Sequence, residues 1–176
     1  MNIRDAADDD LPAIHAIYAH HVAHGLGTFE ETPPTLDEMR GRRAAIVEKG
    51  LPWLVATDEG ASILGYAYAG PFRPRSAYRF AVEDSIYVAA GAAGKGVGKK
   101  LLAALIARCQ AWGARQMLAV IGDSGNAGSI GVHKALGFEH GGVMHAVGFK
   151  HGRWVDVVIM QRALGDGRDT LPPAGR

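Results

Sequence analysis

The stretch from Val82 to Trp112, VEDSIYVAAGAAGKGVGKKLLAALIARCQAW, constrains the fold more than any other part of the chain. Ser85 to Val88 is a β-branched and aromatic run of the kind that forms a strand. Four glycines follow, at positions 91, 94, 96 and 98. From Val97 the pattern changes to a period of three and four. Val97, Leu101, Leu102, Leu105, Ile106, Cys109 and Trp112 fall on one helical face, and all seven are expected to be buried. A strand that runs through a glycine loop into a helix offers bare backbone N–H groups and the positive end of a helix dipole to an anion.

The flanking segments place this unit in a mixed sheet. Asn2 to Arg4 is a short strand. Asp8 or Asp10 is placed to cap a helix over Leu11–His24, with His20, His21 and His24 at its end. Thr35 and Glu38 form a capping box that opens a second helix to Glu48. Pro52–Thr57 and Ser62–Gly70 read as a hairpin, and Phe80–Val88 as the strand that delivers the glycine loop. Met117–Gly122 is a further strand, followed by a short helix over Ser129–Leu136. Met144–Phe149 and Trp154–Met160 form a last hairpin across His151–Gly152. Hairpins at both ends and one parallel crossover give a mixed α/β or α+β domain spanning residues 1–164. The Gly-, Pro- and Asp-rich segment 165–176 is expected to be a loose tail.

Composition excludes several function classes. Nineteen basic residues against 18 acidic give a formal charge of +1, so there is no electrostatic case for nucleic acid or an anionic membrane. A single cysteine, Cys109, allows neither an intrachain disulfide nor a cysteine metal cluster. His15, His20, His21 and His24 do not form HExxH, and no metal is expected. The start is polar and acidic, unlike a signal peptide, and no apolar run approaches the roughly 20 residues of a membrane span. A cytoplasmic location is the expectation.

The glycine loop fails two nucleotide patterns. A Walker loop needs GxxxxGK followed by Ser or Thr, but Ala93 stands at the first glycine and Lys100 follows Gly98-Lys99. The dinucleotide pattern GxGxxG would need glycine where Lys99 stands. What remains is GKGVG entering a helix, with Lys95, Lys99 and Lys100 at its rim. This is either a pyrophosphate cradle or a flexible helix start with solvated lysines.

The run AAGKGVGKKLL resembles the acetyl-coenzyme A binding motif of the GCN5-related N-acetyltransferases, whose pattern is Arg/Gln-x-x-Gly-x-Gly/Ala ahead of a long helix. Gly96 and Gly98 stand at the glycines, and Ala93 stands where arginine or glutamine is usual. NAGSIGVHKALGF, Asn126 to Phe138, is similar to the family's second cofactor segment. From Ile3 to Leu164 the chain resembles the phosphinothricin and methionine sulfoximine acetyltransferase subfamily, through GTFEETP, FRPRSAYR, VEDSIYV and GFKHGRWVDVVIMQ. The resemblance implies a central mixed, mostly antiparallel sheet flanked by helices. It also implies direct transfer of acetyl from acetyl-CoA to the amino group of a small amino acid analogue, and a homodimer.

Site residues follow from the same resemblance. Glu83 is the implied general base and His133 the proton donor to the leaving thiolate. Ile86, Tyr87 and Val88 would line the pantetheine slot. Gly94, Lys95, Gly96, Val97, Gly98 and Lys99 would hold the pyrophosphate, with Asn126 and Ser129 as further contacts. Arg73 and Arg79 are placed to hold a carboxylate, and Phe29, Glu30, Tyr78 and Lys150 to form walls. Strand alternation turns Asp84 away from Glu83, so Asp84 is expected to be structural. Two other functions remain open: an acetyltransferase for a protein N-terminus, polyamine or antibiotic, and a non-catalytic CoA-binding sensor.

Overall fold

The computed structural model describes residues 1–172. Its seven strands form one sheet in the order β1-β2-β3-β4-β5-β7-β6. In chain order the elements are β1 (Asn2–Asp5), α1 (Leu11–His24), α2 (Leu36–Glu48), β2 (Trp53–Thr57), β3 (Ile63–Pro71) and β4 (Ala81–Val88). There follow α3 (Val97–Trp112), β5 (Gln116–Gly122), α4 (Ala127–Ala135), β6 (Glu139–Lys150) and β7 (Arg153–Ala163). All neighbours pair antiparallel except β4 and β5, which the α3 crossover makes parallel.

Two apolar clusters cover the two faces. On one face α3 buries Val97, Leu101, Leu102, Leu105, Ile106 and Cys109 against Leu54, Ala67, Val82, Met117 and Val158. Each such side chain contributes about 2 kcal/mol of transfer free energy. On the other face α1 and Met39 of α2 pack on Trp53, Val55 and Tyr66. Strand β4 serves both: Val82 and Ile86 face α3, while Tyr87 faces α1. A one-residue slip of β4 would exchange these sets.

The Thr35–Glu38 capping box forms as expected, with the Glu38 N–H donating to Thr35 Oγ1 and the Thr35 N–H to Glu38 Oε2. Asp10 does not cap α1 with its side chain. Its carboxylate accepts from the Ala7 N–H at 2.7 Å and from both terminal nitrogens of Arg4, so it locks the turn before the helix. Trp112 is only half-buried, because its indole N–H turns out to the Lys49 carbonyl at the end of α2.

The last hairpin is longer than its apolar alternation suggests. A register shift between Met144 and Gly148 interrupts the period of two, and Asp156 Oδ1 accepts the Ala146 N–H there. The segment expected to be loose is anchored as far as it is described: Arg115 donates to the Gly167 carbonyl, to Thr170 Oγ1 and to the Leu171 carbonyl. Residues 173–176 of that expected tail lie outside the described residues. Among the described residues no helix is long and apolar enough to cross a membrane.

Candidate functional site

The parallel pairing of β4 with β5 is short. It joins Ala81 to Gln116, Val82 to Met117 and Glu83 to Leu118, and then stops. Both strands continue, β4 to Val88 and β5 to Gly122, so the sheet forks after Glu83. Antiparallel pairing to β3 decides which groups of β4 face the fork. Ala89 donates to the Leu64 carbonyl and Phe72 to the Ala81 carbonyl, which puts Tyr66–Tyr87 and Gly70–Glu83 among the hydrogen-bonded pairs. The backbone groups of Ile86 and Val88 therefore point away from β3, into the fork. The Val88 carbonyl meets His21 Nε2 at 2.9 Å.

Tyr87 does not line the fork. Its backbone is committed to Tyr66, and its ring sits edge-on to Tyr18 at 4.9 Å and against Tyr66 at 5.3 Å on the opposite face. The expectation that three successive residues would line the slot fails for the middle one, because strand geometry alternates.

At the mouth of the fork a short 3-10 turn, Ala90–Ala92, leads into the glycine loop. Gly94 and Gly96 have φ of 75° and 78°, in the left-handed region that an L side chain disfavours. Gly96 is the N-cap of α3 and carries no side chain to cap it. The first intrahelical bond runs from the Lys100 N–H to the Gly96 carbonyl at 3.1 Å. The N–H groups of Val97, Gly98 and Lys99 precede it, so no carbonyl of the helix reaches them. Lys95, Lys99 and Lys100 are exposed around them, and Ala93 is exposed at the position of the missing arginine or glutamine. A cradle of this kind fits a pyrophosphate by its backbone.

Asn126 caps α4 by accepting the Ser129 N–H at 3.1 Å, and its amide lies 3.5 Å from the Gly122 carbonyl at the end of β5. Both residues thus set the start of α4 beside the β5 arm of the fork. His133, one turn further on, is not at the surface. Its ring is buried, with Nδ1 donating to the Ser129 carbonyl at 2.8 Å and Nε2 at 3.1 Å from Asp84 Oδ2. With both nitrogens engaged and the side chain 4% exposed, His133 has no free N–H to offer a thiolate. That expected proton-donor role is not supported by its position. Burial lowers the affinity of His133 for a proton, but the hydrogen bond to Asp84 and that carboxylate's charge raise it above the ordinary value.

Glu83 stands at the fork on the face opposite Asp84. It is half-buried, and burial, then the negative charge of Asp84, raise its proton affinity above that of an ordinary glutamate, while the Arg73 charge opposes them. A carboxylate in that condition takes a proton more readily near neutral pH. The guanidinium that acts on Glu83 is therefore Arg73. Arg79 reaches the Ser76 carbonyl and lies over the Phe80 ring at 4.8 Å. Tyr78 is exposed, edge-on to Phe72.

The loop between α1 and α2 closes this face. Thr28 Oγ1 is 3.0 Å from the Tyr18 hydroxyl, and the Thr28 carbonyl accepts Lys150 Nζ at 2.8 Å. Lys150 is among the largest fully buried side chains, so it supports the loop from below and does not form a wall. Phe29 lies against Gly148 and Gly122. A Cβ at Gly148 would collide with the Phe29 ring as it lies, and a Cβ at Gly122 would meet the Leu26 carbonyl oxygen at 2.2 Å, so Gly122 is a requirement of close backbone approach. Glu30 pairs with Arg42 of α2 at 2.6 Å. The sequence does not single out Arg42 or Tyr18 as site neighbours: Arg42 reads as one charge among several on a polar helix, and Tyr18 lies inside α1 with nothing in the local pattern to join it to Thr28.

Comparison with known proteins bears on the family and the fold. A family model described as the acetyltransferase (GNAT) family matches residues 11–138. A phosphinothricin N-acetyltransferase of Alcaligenes faecalis is 57% identical over 170 residues, covering 97% of this chain and 86% of that protein. An L-methionine sulfoximine/L-methionine sulfone acetyltransferase of Pseudomonas paraeruginosa is 46% identical over 167 residues, covering 95% of this chain and 96% of that protein. A crystal structure of a GNAT superfamily phosphinothricin acetyltransferase from Sinorhizobium meliloti, in complex with AcCoA, superposes with a TM-score of 0.96 at 52% identity. It covers 99% of this chain and 94% of that one.

Proposed function

The chain belongs to the acetyltransferase (GNAT) family, and on that premise we propose that it moves the acetyl group of acetyl-CoA to the amino group of a small amino acid analogue such as phosphinothricin, methionine sulfoximine or methionine sulfone. The observation that carries this reading is the fork: β4 and β5 part after Glu83, with the glycine cradle at its mouth and a carboxylate of raised proton affinity at its base. Acetyl-CoA supplies an acyl group activated as a thioester. The N–H groups of Val97, Gly98 and Lys99, with the rim lysines, hold its pyrophosphate. The inward N–H groups of Ile86 and Val88 orient its amides and face the thioester carbonyl, where developing negative charge is stabilised. Asn126 and Ser129 border the same slot from the β5 side.

Glu83 removes the proton of the attacking ammonium, directly or through a water. An amine with a pKa well above 7 is mostly protonated at neutral pH, so this step determines how much nucleophile is present. As the C–N bond forms and the C–S bond breaks, a second nitrogen proton is lost and the departing CoA thiolate takes one up from solvent to leave as the free thiol. Arg73 provides the fork-shaped cation that a substrate carboxylate requires, and it lies close enough to Glu83 to act on its charge. Phe29, Glu30 and the exposed Tyr78 form the outer walls.

The protein also acts as a homodimer in this proposal. Edge strand β6 and its neighbour β7 expose Met144, Val147, Phe149 and Trp154, the last at 68%, and Phe149 and Trp154 pack edge-on at 5.2 Å. Such a patch on an unpaired edge is characteristic of an interface. A monomer in sedimentation at micromolar concentration would refute this.

The deciding assay mixes protein and acetyl-CoA with L-phosphinothricin, methionine sulfoximine and methionine sulfone, and follows free thiol. Turnover of at least one supports the acceptor class. Turnover confined to a peptide amine, a polyamine or an antibiotic would replace it, and acetyl-CoA binding without turnover of any amine would point to a sensor.

A further inference from the structure

Asp84 and His133 are the pair of buried titratable side chains that the chemistry above does not use. Asp84 is the first residue of β4 beyond the last pair to β5, so it sits where the sheet opens. His133 belongs to α4, which follows the other arm of the fork. Their side chains are 3% and 4% exposed, and Nε2 lies 3.1 and 3.3 Å from the two carboxylate oxygens. The Ser129 carbonyl can only accept, so Nδ1 carries a hydrogen. The remaining proton lies between Nε2 and the carboxylate, and the pair holds the same number of protons whichever group carries it. Phe138 packs edge-on to the imidazole at 4.9 Å and fixes its plane. The chain of contacts therefore runs from the base of β4, across the opening, to the residue that Asn126 caps.

We infer that Asp84 and His133 form a strut across the base of the fork, setting the distance between Glu83 on β4 and the Asn126–Ser129 turn, and that both are positioning residues for acetyl-CoA. The inference rests on the acetyltransferase reading of the site. Without a cross-link, the two arms are held together only by three residue pairs and by apolar packing, which has no directional preference. A hydrogen-bonded pair in low dielectric is directional and resists a change of spacing. It also explains the sequence Glu83-Asp84: adjacent carboxylates on opposite faces do two jobs, one facing the acceptor and one bracing the strand that carries it. The charged and titratable groups around Asp84 are His133 from α4, Glu83 on its own strand and Cys109 from α3.

The test separates spacing from chemistry by measuring acetyl-CoA binding calorimetrically alongside turnover. Asp84→Asn keeps a hydrogen-bond partner for His133, its amide N–H donating to the bare Nε2 of the neutral imidazole, and is expected to bind acetyl-CoA within about threefold of the parent. Asp84→Ala removes the strut and is expected to weaken binding about tenfold, a scale set by what small misplacements cost at such sites. A double variant, Asp84→Leu with His133→Leu, replaces the pair by apolar side chains and protects folding where the single alanine leaves an unpaired imidazole. It is expected to keep its melting temperature and still lose the cofactor affinity. A folded Asp84→Ala or double-leucine variant with parental affinity would overturn the strut. Glu83→Gln is the control for the parent reading: it should bind acetyl-CoA normally and fail in turnover, whatever the strut variants do.

Discussion

The glycine loop and the acceptor wall meet at one fork in the sheet, but they are built from different material. The loop offers main-chain N–H groups, and its side chains are either absent, as at Gly94, Gly96 and Gly98, or exposed, as at Lys95 and Lys99. The proposed acceptor wall draws on side chains from four segments: Phe29 and Glu30 before α2, Arg42 within it, Arg73 after β3, and Glu83 on β4. A backbone site depends on conformation, so it tolerates changes of charge and fails when φ is disturbed. A side-chain site fails one residue at a time, in the step that residue serves.

That contrast can be broken experimentally. The largest effect expected is for Glu83→Gln, which should lower kcat by roughly 100-fold with little change in acetyl-CoA affinity. A loss of cofactor binding in that variant would mean the two regions are not separable. In the parent, activity should rise with pH through a limb above the ordinary glutamate value of about 4.3, because burial and Asp84 raise the folded-state value and the base works only when ionised. A limb at or below that value would remove Glu83 as the base.

Gly96→Ala comes next. A side chain at φ 78° costs about 1–2 kcal/mol locally and should appear as a raised KM for acetyl-CoA with an unchanged KM for the acceptor. Lys150→Met should do the reverse. It removes the amine that holds the Thr28 carbonyl, so the acceptor KM should rise several-fold while acetyl-CoA affinity stays the same. The smallest effect is expected for Arg42→Lys. The Arg42–Glu30 pair is substantially exposed, and such pairs contribute about 0–1 kcal/mol, so a stability change above that range would give the pair a role beyond the surface.

The same contrast explains what could be read from the amino acids alone. The loop was legible because a backbone site leaves a linear signature: glycines where φ must be positive, then a helical period. Strand and helix order were legible for the same local reason. The wall was not. Nothing in a linear reading brings Lys150 under Thr28 across 122 residues, or turns its amine inward. The family resemblance puts His133 at the reacting thiolate, whereas its partner Asp84, 49 residues away, draws it into the interior. Tyr87 lies between two slot residues in the sequence, and only the register with Tyr66 shows that its backbone groups are already used. The length of β6 was hidden by the irregularity at Met144–Gly148, which removes the alternation on which strand recognition depends.

The short parallel junction has a mechanical meaning. The sheet is two leaves, β1–β4 and β5–β7–β6, bound along a spine of three residue pairs. A long thin molecule seated between their free margins acts as a splint and sets the angle at which the leaves stand. Acetyl-CoA should therefore stiffen the protein well beyond its own footprint. Amide hydrogen exchange at Ile86, Val88 and Val120 should slow together when it is added, and adenine nucleotide alone, too short to reach along the opening, should leave those amides as they were.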